Sequence, residues 1–313
     1  MKYYIISGEA SGDLHGANLI AQLKIKDPDS VFRCWGGDRM AAQGAYLVKH
    51  IRDLAFMGFV EVALNLKTVL GNIKLCKNDI LQWKPDVLIL IDYPGFNLRI
   101  AKFAKQNNIK VVYYISPQIW AWKQSRVHQI KKNVDKMLTI LPFENDFYKR
   151  FNYSAHFVGH PLLDAIYNES LIRQENSSLP GILNNKPLIA LLPGSRKQEV
   201  KRMLPQMLKA TKKIKGAQFV IAGAPSLHES FYQKFLKDYN IPLIFNQTYQ
   251  IIKLSKAAMV TSGTATLETA LLKTPEVVCY KAAPLSYLIA RRLVKVPFIS
   301  LVNLIMDNEI VKE

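Results

Sequence analysis

The chain has 313 residues, more than one hydrophobic core usually serves, so its length favours two domains of roughly 150 residues over a lone binding module. Hydrophobic residues at 49%, charged residues at 21% and only 15 Gly and 15 Pro exclude disorder, collagen-like repeats and coiled coil. The 42 basic against 24 acidic side chains leave a net +18 that calls for an anionic neighbour, whether nucleic acid, an anionic lipid surface or a phosphorylated substrate, unless it is only a solvated basic surface.

In chain order, the first half alternates short apolar runs with amphipathic stretches. YYIIS (3–7) reads as a strand, 13–24 as a helix, VFRCW (31–35) as a strand, and 45–49 as a third. A helical pattern covers roughly 60–83 and stops before Pro85. DVLILI (86–91), KVVYYI (110–115) and KMLTIL (136–141) follow as strands, separated by helices at 97–107 and 123–133. Near-continuous Val/Ile/Leu runs of this kind fit strands buried on both faces of a parallel sheet. The segment 167–186, rich in Asn, Ser, Pro and Gly, reads as an interdomain linker. We place the domains at 1–167 and 187–313, joined by 168–186.

The pattern then restarts. Strands are expected at 187–192, 217–222, 242–246, 257–261 and 276–280, with helices at 197–213, 226–238, 248–256, 264–272 and 285–294. The fold class is α/β, two doubly wound units in tandem. No internal repeat or low-complexity tract is visible. The apolar run at the N-terminus is too short for a signal peptide, and VVYYISPQIWAW (111–122) is too short for a spanning helix, which needs about 20 residues, so a cytoplasmic protein is expected. Cys34, Cys76 and Cys279 form no CxxC pair, and no His stands at metal-ligand spacing, so neither a disulfide framework nor a metal site is expected.

Both halves are basic. Residues 1–168 carry 22 basic and 14 acidic side chains (+8), and 169–313 carry 20 and 10 (+10). Between Arg99 and Lys136 nine Lys/Arg stand against Asp135 alone, and between Arg196 and Lys215 eight stand against Glu199.

In open α/β sheets ligands bind outside the carboxyl ends of the strands, which directs attention to three loops in the first half and a set of three in the second. GEASGD (8–13) ends the first strand and opens a helix, so its small residues can bring backbone N–H groups to an anion; alternatively Ser11 or Asp13 caps the helix. It is neither GxGxxG nor a Walker P-loop. In IDYPGFN (91–97), Asp92 stands at a strand tip, where a carboxylate serves as a general base toward a hydroxyl or, alternatively, as a turn residue.

SPQIWAWKQSRVHQIKK (116–132) sets Trp120 and Trp122 beside a basic helix, a pattern for an amphipathic phosphorylated ligand, a membrane rim, single-stranded nucleic acid, or packing of one Trp in a core. In the second half LLPGSRKQEV (191–200), IAGAP (221–225) and TSGTATLE (261–268) each close a strand. Together they form a candidate diphosphate cradle: Gly194, Ser195, Gly223, Ser262, Gly263 and Thr264 supply N–H or hydroxyl donors and Arg196 a fixed charge. Glu268, one turn beyond Thr264, can accept ribose hydroxyls or be a solvated helix residue. His15 and His160 lie beside glycine-containing loops and are weaker candidates; His50, His128, His156 and His228 read as structural. No GxSxG element is present, which argues against an α/β-hydrolase.

Taken together, SGEASGD (7–13), GGDRM (36–40), MGFVEV (57–62), KPDVLILIDYPGFN (84–97), YYISPQIWAW (113–122), LPFE (141–144), VGHPLLDA (158–165), LLPGSR (191–196) and SGTATLE (262–268) resemble, in this order and spacing, the lipid-A-disaccharide synthases. The similarity covers 3–313. It implies a GT-B glycosyltransferase with two Rossmann-like domains facing a cleft. Such an enzyme transfers 2,3-diacylglucosamine from UDP-2,3-diacylglucosamine to the 6-hydroxyl of 2,3-diacylglucosamine 1-phosphate, with inversion and release of UDP.

By the resemblance Asp92 matches the proposed base and Arg196 an arginine of the UDP-binding domain. Glu9, Ser11, Asp13 and Asn97 would lie on the acceptor side and Glu268 near the donor ribose. No metal or other cofactor is implied, and no nucleic acid. The acylated substrates imply peripheral docking on an anionic inner membrane, to which we assign 57–74, including Met57, Phe59 and Val60, together with Trp120 and Trp122. Family members commonly continue for some tens of residues past VNLIMDNEIVKE, in a tail that takes part in a swapped dimer, so a homodimer is implied where that tail is present. The alternatives are another UDP-sugar enzyme, of the lipid-II N-acetylglucosaminyltransferase or UDP-N-acetylglucosamine epimerase type, and distantly a nucleic-acid-binding protein.

Overall fold

A computed structural model of the chain describes residues 1–54, 66–172, 179–182, 186–281 and 296–313. The chain divides into two compact units, Met1–Pro161 and Leu162–Glu313.

The first unit holds seven strands: β1 (Lys2–Ile6), β2 (Val31–Gly36), β3 (Tyr46–His50), β4 (Val87–Ile91), β5 (Lys110–Tyr114), β6 (Lys136–Thr139) and β7 (His156–Phe157). They pair in parallel in the order β3-β2-β1-β4-β5-β6-β7. The helices are α1 (Ala10–Lys26), α2 (Asp38–Ala42), α3 (Leu66–Trp83), α4 (Pro94–Gln106), α5 (Ile119–Trp122), α6 (Val127–Asn133) and α7 (Glu144–Lys149). All five side chains of β4 are buried, as are the last four of β1, which is what a central parallel strand covered on both faces requires.

Tyr4, Trp35 and Asp79 tie β1, β2 and α3 together. The fully buried Trp35 indole donates to Tyr4 Oη at 2.9 Å, and Tyr4 Oη donates to Asp79 at 2.8 Å, so both aromatic bodies are buried without stranding a polar atom. On α3, Ile73, Cys76 and Ile80 face the core at helical spacing, while Leu70, Leu75 and Leu81 remain exposed among lysines.

The second unit repeats the plan with five strands: β8 (Leu188–Leu192), β9 (Gln218–Gly223), β10 (Leu243–Phe245), β11 (Ala257–Thr261) and β12 (Glu276–Cys279). Their order is β10-β9-β8-β11-β12, again all parallel. The helices are α8 (Leu162–Ile172), α9 (Lys197–Thr211), α10 (Glu229–Leu236), α11 (Thr248–Leu254), α12 (Thr264–Leu271) and α13 (Leu301–Met306). One face of the sheet buries Ala190, Leu192, Val220, Ala222 and Val260 under Ile251 and Ile252 of α11. The other buries Leu191 and Ile221 under Val200, Met203, Leu204 and Met207 of α9.

The expected strands all form. The expected linker differs: its first residues belong to α8, whose Leu162 packs with Leu267 of α12 and Val302 of α13, so 162–167 join the second unit rather than the first. The short α2, α5, α7 and α13, and the two-residue β7, have no counterpart in the sequence reading. Each is about a turn or two long, too short to build a period. Residues 60–65 of the long helical pattern and the helix expected at 285–294 lie outside the described residues.

Candidate active site

In each sheet the strand order reverses once, between β1 and β4 in the first unit and between β8 and β11 in the second. At such a switch point the loops leave the sheet in opposite directions and open a crevice at the carboxyl ends of the strands. The loop after β1 is SGE and that after β4 begins at Asp92; the loops after β8 and β11 are PGSR and SGT.

In the first unit the two loops touch. A Cβ on Gly8 would lie 2.5 Å from the Tyr93 ring, so the absence of a side chain lets the post-β1 loop lie flat against that aromatic. Tyr93 stacks on Phe96, centroids 5.5 Å apart, and its hydroxyl is pushed above the usual phenol range by burial and then by the nearby Glu9 carboxylate. Asp92 and Tyr93 both adopt left-handed backbone (φ 43° and 48°), and Ile115 after β5 does so as well (φ 66°). Left-handed conformation at non-glycine residues costs free energy and persists only where surrounding bonds fix it.

Those bonds are present. Tyr113 Oη donates to the Asp92 carbonyl at 2.6 Å, the Asp92 N–H donates to Ile115 O at 3.2 Å, and Asn97 Nδ2 donates to Asp92 O at 2.8 Å and Ile91 O at 3.2 Å. The Asp92 backbone is therefore clamped while its side chain stays half-buried at the strand tip.

Two expectations on the acceptor side are corrected. Asp13 is 4% exposed, and its carboxylate accepts from the N–H groups of Gly37 (2.7 Å), Arg39 (3.1 Å) and Met40 (3.1 Å). It caps α2 across the fold, and a Cβ on Gly37 would strike it at 2.6 Å, so it is a positioning residue. Asn97 is fully buried and braces the ends of β1 and β4 instead of facing an acceptor. Glu9 and Ser11 remain half-buried at the loop.

Trp120 is likewise not a membrane contact. It is 7% exposed, edge-on to Phe143 at 4.9 Å, and its indole donates to the buried Glu144 at 3.3 Å. Trp122 is 38% exposed and carries Arg126 and Lys123 over its ring at 5.3 and 5.8 Å. Met57, Phe59 and Val60 lie outside the described residues. His15 and His160 meet edge to face at 6.3 Å; burial holds both near pKa about 4, with His160 adding to the effect on His15, so they are neutral at neutral pH.

In the second unit Glu199 folds back over the PGSR loop. Its Oε2 accepts from the N–H groups of Ser195 (2.9 Å) and Arg196 (3.3 Å), and its Oε1 from the Arg196 guanidinium (3.1 Å). Gly194 makes this possible: its φ is +113°, and a Cβ there would sit 2.6 Å from that of Glu199. The loop's donors are thus organised around a carboxylate. Ser262 is half-buried, whereas Gly263 and Thr264 are exposed at the start of α12, with open space where a Gly263 side chain would be.

Glu268 is half-buried and accepts from Tyr249 Oη at 3.4 Å. Gly223 is corrected: it is buried, and a Cβ there would meet the Phe245 ring at 2.5 Å, so it serves packing at the end of β9, away from the switch point. Sequence reasoning missed Tyr93, Tyr113 and Glu199, whose roles rest on backbone groups distant in sequence or on a loop's local conformation.

The sequence model of the family described as lipid-A-disaccharide synthetase matches residues 3–313. Among curated relatives, the lipid-A-disaccharide synthase of Syntrophus aciditrophicus (strain SB) is 44% identical over 316 residues, 99% of this chain and 82% of its own length. That of Trichlorobacter lovleyi is 40% identical over 315 residues, with the same shares. Among solved structures, a UDP-GlcNAc 2-epimerase from Neisseria meningitidis bound to UDP-GlcNAc superposes with a TM-score of 0.66 at 16% identity over 98% of this chain and 90% of that one. The Methanocaldococcus jannaschii UDP-GlcNAc 2-epimerase in complex with UDP-GlcNAc and UDP gives 0.63 at 14% over 89% and 83%, a likeness of fold alone. With identity at this level along almost its whole length, the chain belongs to the lipid-A-disaccharide synthase family.

Proposed function

We propose that the protein is an inverting glycosyltransferase of lipid A biosynthesis, converting UDP-2,3-diacylglucosamine and 2,3-diacylglucosamine 1-phosphate to the disaccharide 1-phosphate and UDP. The observation that carries this reading is the match of residues 3–313 to the family, at 44% identity to a curated member.

In the first unit Asp92 takes the proton from the acceptor 6-hydroxyl as its oxygen attacks the anomeric carbon of the donor sugar. Glu9 and Ser11 flank the acceptor. The bond from that carbon to the diphosphate breaks with its electrons, and UDP leaves. In the second unit Arg196, Ser195 and Gly194 after β8, and Ser262, Gly263 and Thr264 after β11, receive the charge that develops on the diphosphate, with Glu268 on the ribose. Support comes from the clamped Asp92 backbone at one switch point and the donor-rich loops at the other.

The acyl chains bring the enzyme to the cytoplasmic face of the inner membrane as a peripheral protein. No helix among the described residues is long and apolar enough to cross a membrane. The exposed Leu70, Leu75 and Leu81 of α3, set among Lys67 and Lys74, and Trp122 with its two cations, suit an anionic bilayer surface.

The test is product analysis with both lipid substrates. A β-1,6-linked disaccharide 1-phosphate forming in step with UDP is expected; conversion of the UDP-sugar to an epimer, or UDP release without disaccharide, contradicts the reading.

A further inference from the structure

The basic stretch between Arg99 and Lys136 is not uniform in its pairing. Lys105 is neutralised by Asp135. By contrast, among the described residues no carboxylate is paired with Arg99, Lys123 or Arg126.

These three cations gather beside the loop that carries Asp92. The Arg99 guanidinium donates to the carbonyl of Gly95, three residues after Asp92. Arg126 lies over Trp122 at 5.3 Å, and Lys123 approaches the same ring at 5.8 Å. Arg126 also lies within electrostatic reach of both Tyr113, whose hydroxyl holds the Asp92 carbonyl at 2.6 Å, and Arg99.

Two guanidinium groups held near each other, one of them half-buried and neither paired with a carboxylate among the described residues, repel. Burial, and after it Arg99, pull the Arg126 pKa below its ordinary value, while Tyr113 opposes them. Like charge retained at a half-buried position calls for a counter-charge, and among the described residues no carboxylate is paired with it.

We propose that Arg99 and Arg126 bind the 1-phosphate of the acceptor, with Trp122 fixing the orientation of Arg126. The inference rests on the glycosyltransferase reading and names what selects its phosphorylated substrate. The acceptor's reacting 6-hydroxyl hangs from C5 and its 1-phosphate from C1, the two carbons that flank the ring oxygen of one pyranose, so the two groups lie within one sugar of each other. A base at Asp92 therefore calls for a cationic group within about one sugar of it, and of the three cations beside that loop Arg99 and Arg126 carry guanidinium groups. Guanidinium groups suit a phosphate monoester because their N–H forks match its oxygens pairwise. A lipid headgroup phosphate offers the same chemistry, so the experiment separates the two sources.

Initial rates are measured for the wild type, Arg126→Gln, Arg126→Lys and Arg99→Gln with 2,3-diacylglucosamine 1-phosphate and with the same acceptor lacking the phosphate, alongside binding to phosphatidylglycerol vesicles. For each Gln variant KM for the phosphorylated acceptor should rise about 10–100-fold, the range of a lost charge-assisted hydrogen bond. KM for the UDP donor and the rate with the unphosphorylated acceptor should stay near wild type, and Arg126→Lys should recover part of the loss. An unchanged preference for the phosphorylated acceptor overturns the inference, as does an equal loss with both acceptors or a loss confined to vesicle binding. If the wild type forms no disaccharide from either acceptor, the glycosyltransferase reading itself fails.

Discussion

Asp13 illustrates how a residue in a ligand-type motif is claimed by the fold. It sits in SGEASGD, yet its carboxylate receives three backbone N–H groups at the start of α2. Asp13→Ala should cost about 1–3 kcal/mol of stability in a denaturant titration, the sum expected for a lost cap and stranded donors, whereas a ligand role alone would leave the midpoint in place. Glu276 presents the opposite case. It is 8% exposed at the start of β12, neither oxygen has a hydrogen-bond partner among the described residues, and burial pushes its pKa up to about 8. The folded state therefore holds a proton that the unfolded chain loses above its ordinary value of 4.5, so stability falls as pH rises from about 4.5 to about 8 and levels off beyond. Glu276→Leu should raise the thermal midpoint, more at pH 8 than at pH 5; an equal shift at both would show that the acid is not buried uncharged.

Among the elements, the PGSR loop and α9 act as one device through Glu199. With this carboxylate gone, the N–H groups of Ser195 and Arg196 lose their acceptor and the guanidinium loses its brace. Glu199→Ala should therefore raise KM for the UDP donor about tenfold or more, with KM for the acceptor little changed; an unaltered donor KM would remove Arg196 from the donor site. Helix α3 carries the membrane expectation on its outer face. Replacing Leu70 and Leu81 by Ser removes exposed apolar surface without touching Ile73, Cys76 or Ile80. Partition to phosphatidylglycerol vesicles should fall severalfold while the thermal midpoint holds, and undiminished partition would show that this face does not dock.

The same elements show what a sequence displays. Runs such as VLILI and the alternation of strand and helix were legible because burial on both faces leaves a continuous apolar signature. The turn-length helices α2, α5 and α7 were not, since they owe their conformation to distant caps and packing, as α2 does to Asp13.

At the scale of the whole molecule, two sheets with the same central order place four of the sequence-predicted loops, those after β1, β4, β8 and β11, at two switch points, one bearing Asp92 and one bearing Arg196. That Asp92 and Arg196 stand in loops at the carboxyl ends of strands was legible in the sequence. Asn97, Gly223 and Trp120 were misread because proximity in sequence to a loop does not say which way a side chain turns. Asn97 turns into the sheet ends, Gly223 under Phe245, and Trp120 toward Glu144.

The proposed reaction depends on a carboxylate at Asp92 that can accept a proton, in a backbone fixed by Tyr113 and Asn97. Its most direct test is the rate of disaccharide formation by Asp92→Asn with saturating lipid substrates, alongside UDP-donor binding. The variant should bind the donor as the wild type does and lose about 100-fold or more in kcat, the range expected for loss of a general base. A near-normal kcat would contradict the account and remove Asp92 from the chemistry.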